Sequence, residues 1–131
     1  MLLLDTRALV WAVADPARLS DAARRAIDEA PAQGGLTIAS ISVWELAALF
    51  ARGRLRGPGT VDQAVRLVID RTGVGIRDIT PAIAALAATL PDDISRDPVG
   101  RLVAATAIAE GLPLVTSDPA LAAFPRLRVI W

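Results

Sequence analysis

Leu2-Leu3-Leu4-Asp5-Thr6-Arg7-Ala8-Leu9, at the start of the chain, decides how the rest of it reads. Leu2 to Leu4 is a short apolar run of strand type, and helical spacing takes over from about Thr6 to Ala14, with a single acid at the junction. The same unit recurs downstream. Leu36-Thr37-Ile38-Ala39, Gly75 to Ile79 and Leu112 to Thr116 read as further strands, and Arg126 to Trp131 as a last, edge strand. Between them lie helical stretches from Ser20 to about Ala30, near Ser42 to Arg52, Thr60 to Arg71, about Thr80 to Thr89 and Asp97 to Glu110. Thr80-Pro81, Asp97-Pro98 and Asp118-Pro119 each place a capping side chain before a proline at the first helical position, and Gly53 and Gly111 close helices. Short strands alternating with longer helices argue for βαβ units and a parallel sheet.

A chain of 131 residues suits one domain, spanning 1–131, that buries roughly two thirds of the surface of its unfolded form. The 14 basic residues are all Arg and balance 14 acidic ones, so any nucleic-acid contact has to be a local feature rather than a property of the whole field. With no His and no Cys, the usual general base, thiolate chemistry, structural zinc and disulfides are all excluded. Carboxylates remain as the ionisable tools. The absence of Cys fits a reducing compartment, the first residues read as a strand rather than a signal peptide, and the run from Ile79 to Pro91 falls short of the roughly 20 residues of a membrane span. The expectation is a cytoplasmic protein with no membrane association. An apolar fraction of 53%, much of it Ala, hints at a covered partner surface.

Asp5, Glu45 and Asp118 fall at three separate strand-to-helix junctions. In parallel α/β sheets ligands bind outside the carboxyl ends of the strands, and right-handed crossovers keep those ends on one side, so the three acids converge if their strands are neighbours. Each also has a plainer reading. Asp5, Asp97 and Asp118 are good helix caps, and Ser42-Val43-Trp44-Glu45 has the form of a capping box. Caps do not have to share a sheet edge, whereas metal ligands do. Two carboxylates about 4 Å apart repel by roughly 4 kcal/mol at an effective dielectric of about 20. A hard cation removes that cost, and all-oxygen ligands favour Mg²⁺ or Mn²⁺, which can activate water against phosphorus.

Five blocks, in order, extend the pattern: Leu2-Leu3-Leu4-Asp5-Thr6, Ser40-Ile41-Ser42-Val43-Trp44-Glu45-Leu46, Leu90-Pro91-Asp92-Asp93, Asp97-Pro98-Val99-Gly100-Arg101 running on to Ala107, and Gly111-Leu112-Pro113-Leu114-Val115-Thr116-Ser117-Asp118. Together they resemble the motif blocks of PIN-domain proteins, most of all the VapC-like toxins of bacterial type II toxin–antitoxin modules. The resemblance implies a three-layer α/β/α fold around a mainly parallel sheet. It also implies a Mg²⁺- or Mn²⁺-dependent ribonuclease acting on an RNA substrate, a homodimer, and a cognate VapB-like antitoxin. In that frame Asp5 and Asp118 hold the metal, Glu45 positions or activates water, and Asp97 assists at longer range. The family pattern Asp-Pro-x-Asp-Arg has its second acid replaced here by Gly100, and Arg7 stands where His is frequent. The missing acid implies weakened catalysis, and it opens an alternative: a catalytically silent PIN fold that binds RNA or antitoxin. A phosphatase with Asp5 as nucleophile fits less well, because no second Asp follows two residues later and the chain has no Lys.

Among the basic residues, Arg96 and Arg101 flank the acidic edge and are the expected RNA-phosphate contacts, with pairing to a neighbouring acid as the alternative for Arg101. Arg52, Arg54 and Arg56 read first as a solvated loop and second as phosphate grips. Trp11 and Trp44 lie in helical apolar patterns and read as packing residues, while Trp131 is an open candidate for base stacking. Thr6, Ser42 and Thr116 read equally as caps and as groups that hold metal-bound water.

Overall fold

In the computed structural model, which describes residues 1–131, Leu4 pairs with Ile38 on one side and Val115 on the other. That row belongs to a five-stranded, wholly parallel sheet of β1 (Leu2–Leu4), β2 (Leu36–Ala39), β3 (Gly75–Arg77), β4 (Leu114–Val115) and β5 (Val129–Ile130), in the order β3-β2-β1-β4-β5. The connecting helices are α1 (Thr6–Ala14), α2 (Asp21–Glu29), α3 (Ser40–Ala51), α4 (Val61–Thr72), α5 (Pro81–Thr89), α6 (Pro98–Glu110) and α7 (Pro119–Ala122).

Successive residues of a strand face opposite sides of the sheet, and β1 shows the result most clearly: Leu3 and Leu4 are both fully buried, in different cores. Leu4, Ile38 and Val115 pack with Ala8 and Leu9 of α1, Ala23 of α2, Leu46 of α3 and Val65 and Val68 of α4. Leu3 and Leu114 pack with Ile83 and Ala87 of α5, Val103, Ala104 and Ala107 of α6, and Leu121 of α7. Helices therefore cover both faces, giving the expected three layers. Burying a leucine completely contributes roughly 1.5–3 kcal/mol, so Leu3 and Leu4 alone make β1 the anchor of both cores. Ala104, Ala105 and Ala107 are buried too, but Ala82, Ala84, Ala85 and Ala88 of α5 are exposed, so only part of the alanine that hinted at a partner surface lies inside the protein.

Several boundaries differ from the sequence reading. The strands are shorter, with β3 ending at Arg77 and β4 and β5 reduced to two residues each. Helix α3 begins at Ser40 rather than near Ser42, and its N-cap, Ala39, provides no side-chain bond. The expected capping box fails because Ser42 is inside the helix, and its hydroxyl accepts from the Thr6 hydroxyl at 2.8 Å in a buried contact between α1 and α3. A capping box does form at α4, where Thr60 and Gln63 satisfy each other's backbone amides. Gly111 ends α6 at φ 65°, the left-handed conformation that glycine adopts without a steric penalty. No helix is long and apolar enough to cross a membrane.

Candidate active site

The strand order reverses at β1. The chain first builds outward through β2 and β3, then returns to the other flank of β1 to place β4 and β5. Such a switch point opens a crevice at the carboxyl ends of the two central strands, here β1 and β4. Asp5 is the first residue beyond β1, and its amide donates to the Val115 carbonyl at 3.1 Å, extending the ladder by one step. Asp118 lies three residues beyond β4, where its amide donates to the Thr116 hydroxyl at 3.1 Å. The acids thus rest on neighbouring strands of the sheet rather than on free loops.

All three aspartates cap helices. Asp5 accepts from the Ala8 amide at 2.7 Å, Asp97 from Val99 at 3.2 Å and Asp118 from Ala120 at 2.9 Å. The plain and the functional readings hold together geometrically, because a cap occupies one of about four lone-pair positions on a carboxylate. The remaining positions face a cleft of about 390 Å³ whose walls include Asp5, Glu45, Asp97 and Asp118, together with Arg7, Gly100 and Thr116. All four predicted acids and the glycine in place of a fifth meet there. Glu45 reaches it from the second turn of α3, one turn further along than the sequence suggested.

Asp5 keeps one face partly open, yet the protein around its carboxylate raises its pKa above the ordinary 3.8. Burial is the main cause. The Thr116 hydroxyl, the Ala8 amide and the Arg7 guanidinium pull the value down, and the Glu45 carboxylate adds a further push upward. Asp5 and Glu45 therefore feel each other's charge, and the charged form of Asp5 is held at a cost that a cation relieves. No three acids stand close enough to enclose an ion unaided. The donors present are all oxygens, from carboxylates and hydroxyls, and that set fits a hard divalent ion that keeps several of its waters. Asp5 and Asp118 would hold it.

The flanking residues depart from expectation. Arg101 was expected to grip RNA phosphate, but its guanidinium is turned inward and its side chain is 14% exposed. It donates to the carbonyls of Ala87 (2.9 Å), Pro91 (3.2 Å), Ser95 (3.0 Å) and Leu90. Helix α5 ends with unpaired carbonyls and a negative dipole end, and a cation from α6 satisfies both. Exposed Asp92, 3.8 Å away, adds little. Arg96 is exposed on the loop before α6 and does not line the cleft. Arg7, noted in the sequence only as a departure from the family pattern, does.

Gly100 also has a structural reason that the sequence concealed. A Cβ at this position would lie 2.8 Å from the Ser95 Oγ and 3.3 Å from its Cβ. That hydroxyl accepts from the Asp97 amide at 3.2 Å and donates to the Asp97 carbonyl at 3.4 Å, tying down the approach to α6. A serine two residues before an Asp-Pro cap was the available signal. Among the aromatics, Trp11 packs as expected, tilted against Trp131 with ring centroids 5.7 Å apart and Arg18 5.0 Å over its face. Trp44 does not: it is 57% exposed, because the buried stripe of α3 runs through Ser42 and Leu46 and residue 44 points the other way. Of two further concavities, one adjoins the cleft and the other shares no residue with it. A trough of about 540 Å³ shares Thr6, Arg7, Glu45, Asp97 and Val99 with it, and an apolar groove of about 220 Å³ lies between α1, α3 and α4.

A profile of the PIN domain family matches residues 2–127. Ribonuclease VapC22 of Mycobacterium tuberculosis is 38% identical over 131 residues, covering 98% of this chain and 97% of its own length. Among solved structures, VapBC2 from Rickettsia felis bound to a promoter DNA fragment aligns with a TM-score of 0.73 at 19% identity, over 98% of this chain and 96% of that one. A toxin–antitoxin complex from Klebsiella pneumoniae aligns with a TM-score of 0.67 at 21% identity, over 97% and 95%. At such identities the two structures speak for the fold, which is the one described above. With a family profile spanning nearly all its residues and a relative of equal length at 38% identity, the chain belongs to the PIN domain family.

Proposed function

We propose that this chain is a VapC-like toxin that hydrolyses RNA phosphodiester bonds with the help of Mg²⁺ or Mn²⁺, working in the cytoplasm under the control of a VapB-like antitoxin. The observation that carries the reading is the pair Asp5 and Asp118 at the switch point, one of them held charged at a cost. When bound, the ion supplies an acidified water and compensates charge on the leaving oxygen. Asp5 and Asp118 hold it. Glu45 orients the attacking water and accepts its proton, Asp97 adds negative potential from the rim, and Arg7 is the cation within reach of a phosphate in the cleft. The 38% identical relative, a ribonuclease by name, supports the choice of RNA.

A second reading, a silent fold that only binds RNA or antitoxin, is favoured by one residue, Gly100. Incubating the purified protein with a panel of RNAs in Mn²⁺ separates the two. We expect cleavage by the parent and a loss of at least a hundredfold in Asp5→Ala, the scale on which removal of one charge-stabilising group acts. RNA binding without cleavage by the parent would leave only the silent reading.

For the antitoxin, the apolar groove between α1, α3 and α4 is the proposed seat. Val10, Phe50 and Leu67 line it, and Arg56 and Arg71 stand at its edge. Phe50→Glu should abolish co-purification with the product of a short adjacent reading frame. An unchanged complex would move the seat elsewhere. The proposed homodimer is checked by light scattering at micromolar concentration, where a strictly monomeric mass removes it.

A further inference from the structure

Trp44 is the most exposed of the three tryptophans, at 57% against 38% for Trp131. Trp11 and Trp131 lean on each other, whereas Trp44 shares its face with no other ring and lies on the outward side of α3 beside Glu45, and its trough shares Thr6, Arg7, Glu45, Asp97 and Val99 with the acid cleft. Arg52 and Arg54 stand along the same trough, over a floor that includes Ala48 and Leu49. Both arginines are exposed, neither has a carboxylate within 4 Å, and neither donates a side-chain hydrogen bond to the protein. An unshared ring with unpaired guanidinium groups beside it offers the two things a single nucleic-acid strand needs, a stacking face and phosphate neutralisation. A duplex offers neither an accessible base face nor a fit to one ring.

We propose that Trp44, Arg52 and Arg54 form a subsite for single-stranded RNA next to the scissile position, with one base stacked on Trp44 and backbone phosphates on the two arginines. The subsite deepens the ribonuclease reading and rests on it for the position of the scissile bond. A protein occupant, either antitoxin or a second copy of the chain, is the competing outcome. The observations favour RNA because the trough opens into the cleft where a phosphodiester would be cut, and because Arg52 and Arg54, two of its three arginines, have no counter-acid within 4 Å although Glu45 and Asp97 line the same trough.

The test is binding of a fluorescein-labelled single-stranded RNA decamer, followed by anisotropy in EDTA with intact RNA confirmed on a gel. Trp44→Ala should raise Kd about tenfold and Trp44→Phe by less than threefold, within the range of one base stacked on one ring. The double variant Arg52→Ala/Arg54→Ala should lower the slope of log Kd against log salt by about 1.4, the value for two phosphate contacts on a single strand. RNA should also quench the tryptophan emission of the parent more than that of Trp44→Phe. The proposal is overturned if the parent does not bind the decamer at 100 μM protein, on the order of non-specific affinities. It is equally overturned if Trp44→Ala leaves Kd unchanged, and a change in oligomeric mass or antitoxin affinity alone would assign the face to protein. Failure of the ribonuclease reading looks different: no cleavage in Mn²⁺, with the Kd and salt effects intact.

Discussion

The two walls of the acid cleft are built on different principles. One wall is the sheet itself: Asp5 and Asp118 stand where β1 and β4 end, joined through the Val115 carbonyl and the Thr116 hydroxyl. The other is a loop, residues 91–97, with Asp97 and Gly100 at the start of α6, and it is held by the Arg101 guanidinium and the Ser95 hydroxyl. The strand wall takes its shape from backbone pairing that any apolar strand provides. The loop wall depends on two side chains, neither of which touches the cleft chemistry. A site can therefore have one wall that tolerates substitution and one that does not, and the fragile wall is the one away from Asp5 and Asp118, the pair proposed to hold a metal.

The largest expected effect strikes the loop wall. Arg101→Ala leaves four carbonyls at and beyond the end of α5 without their donor, and hydrogen bonds to a charged group contribute about 1.5–3 kcal/mol each before water takes up part of the loss. Urea denaturation should show a loss of about 3 kcal/mol or more. If Arg101 were instead a free phosphate contact, stability would stay within about 0.5 kcal/mol of the parent, as for an ordinary surface substitution, and only RNA affinity would fall.

An intermediate effect comes from filling the gap at residue 100. Gly100→Asp alone must displace Ser95, breaking its two bonds to Asp97, and should lower stability by about 1 kcal/mol. Adding Ser95→Gly removes the clash. The double variant should cleave at least about tenfold faster than the parent in Mn²⁺, the lower end of what a ligand-orienting group contributes. Equal rates for parent and double variant, with both folded, would mean that Asp97 already serves the purpose or that the cleft does not cut RNA.

The smallest effect belongs to the strand wall and depends on pH. Asp5 titrates above 3.8 in the folded protein, so the folded state holds that proton more tightly than the unfolded chain. The stability it contributes is complete below pH 3.8 and is lost as pH rises through the raised folded value. Asp5→Asn keeps the cap on α1 and removes the titration. In chelator at neutral pH the variant should melt higher than the parent, and the gap should close in acid. Divalent metal should then stabilise the parent and leave the variant unmoved. A variant that melts lower than the parent at pH 7 would show that the Arg7 and Ala8 partners outweigh burial.

The sequence revealed the strand wall and concealed the loop wall, for a physical reason. Leu2-Leu3-Leu4-Asp5 and the run up to Asp118 carry their information locally: apolar residues, then an acid, then a cap. The parallel order of β2, β1 and β4 converts that local pattern into a shared position. Arg101 gives no such signal, since an arginine in the first turn of a helix looks the same whether it faces solvent or the end of another helix 14 residues earlier in the chain. The space that Ser95 takes from residue 100 likewise exists only once the loop has folded back on α6. Trp44 misled for a third reason. At the start of α3 a shift of two residues in the helix boundary accompanies the false capping box, and apolar spacing alone does not say which side of the helix is buried.

Thr116 carries a last consequence. Its hydroxyl takes the Asp118 amide and faces the Asp5 carboxylate, while the strands beneath are locked at the spacing of a parallel ladder, about 4.8 Å. The ladder and this one hydroxyl thus set how the two acids stand to each other, much as a gauge block is set by its own thickness. Repacking α2 or α4, which lie away from both acids, should change stability more than it changes what the gauge reads. The strand wall thus answers to the sheet and to residue 116, whereas the loop wall stays coupled to the stability of the fold through Arg101.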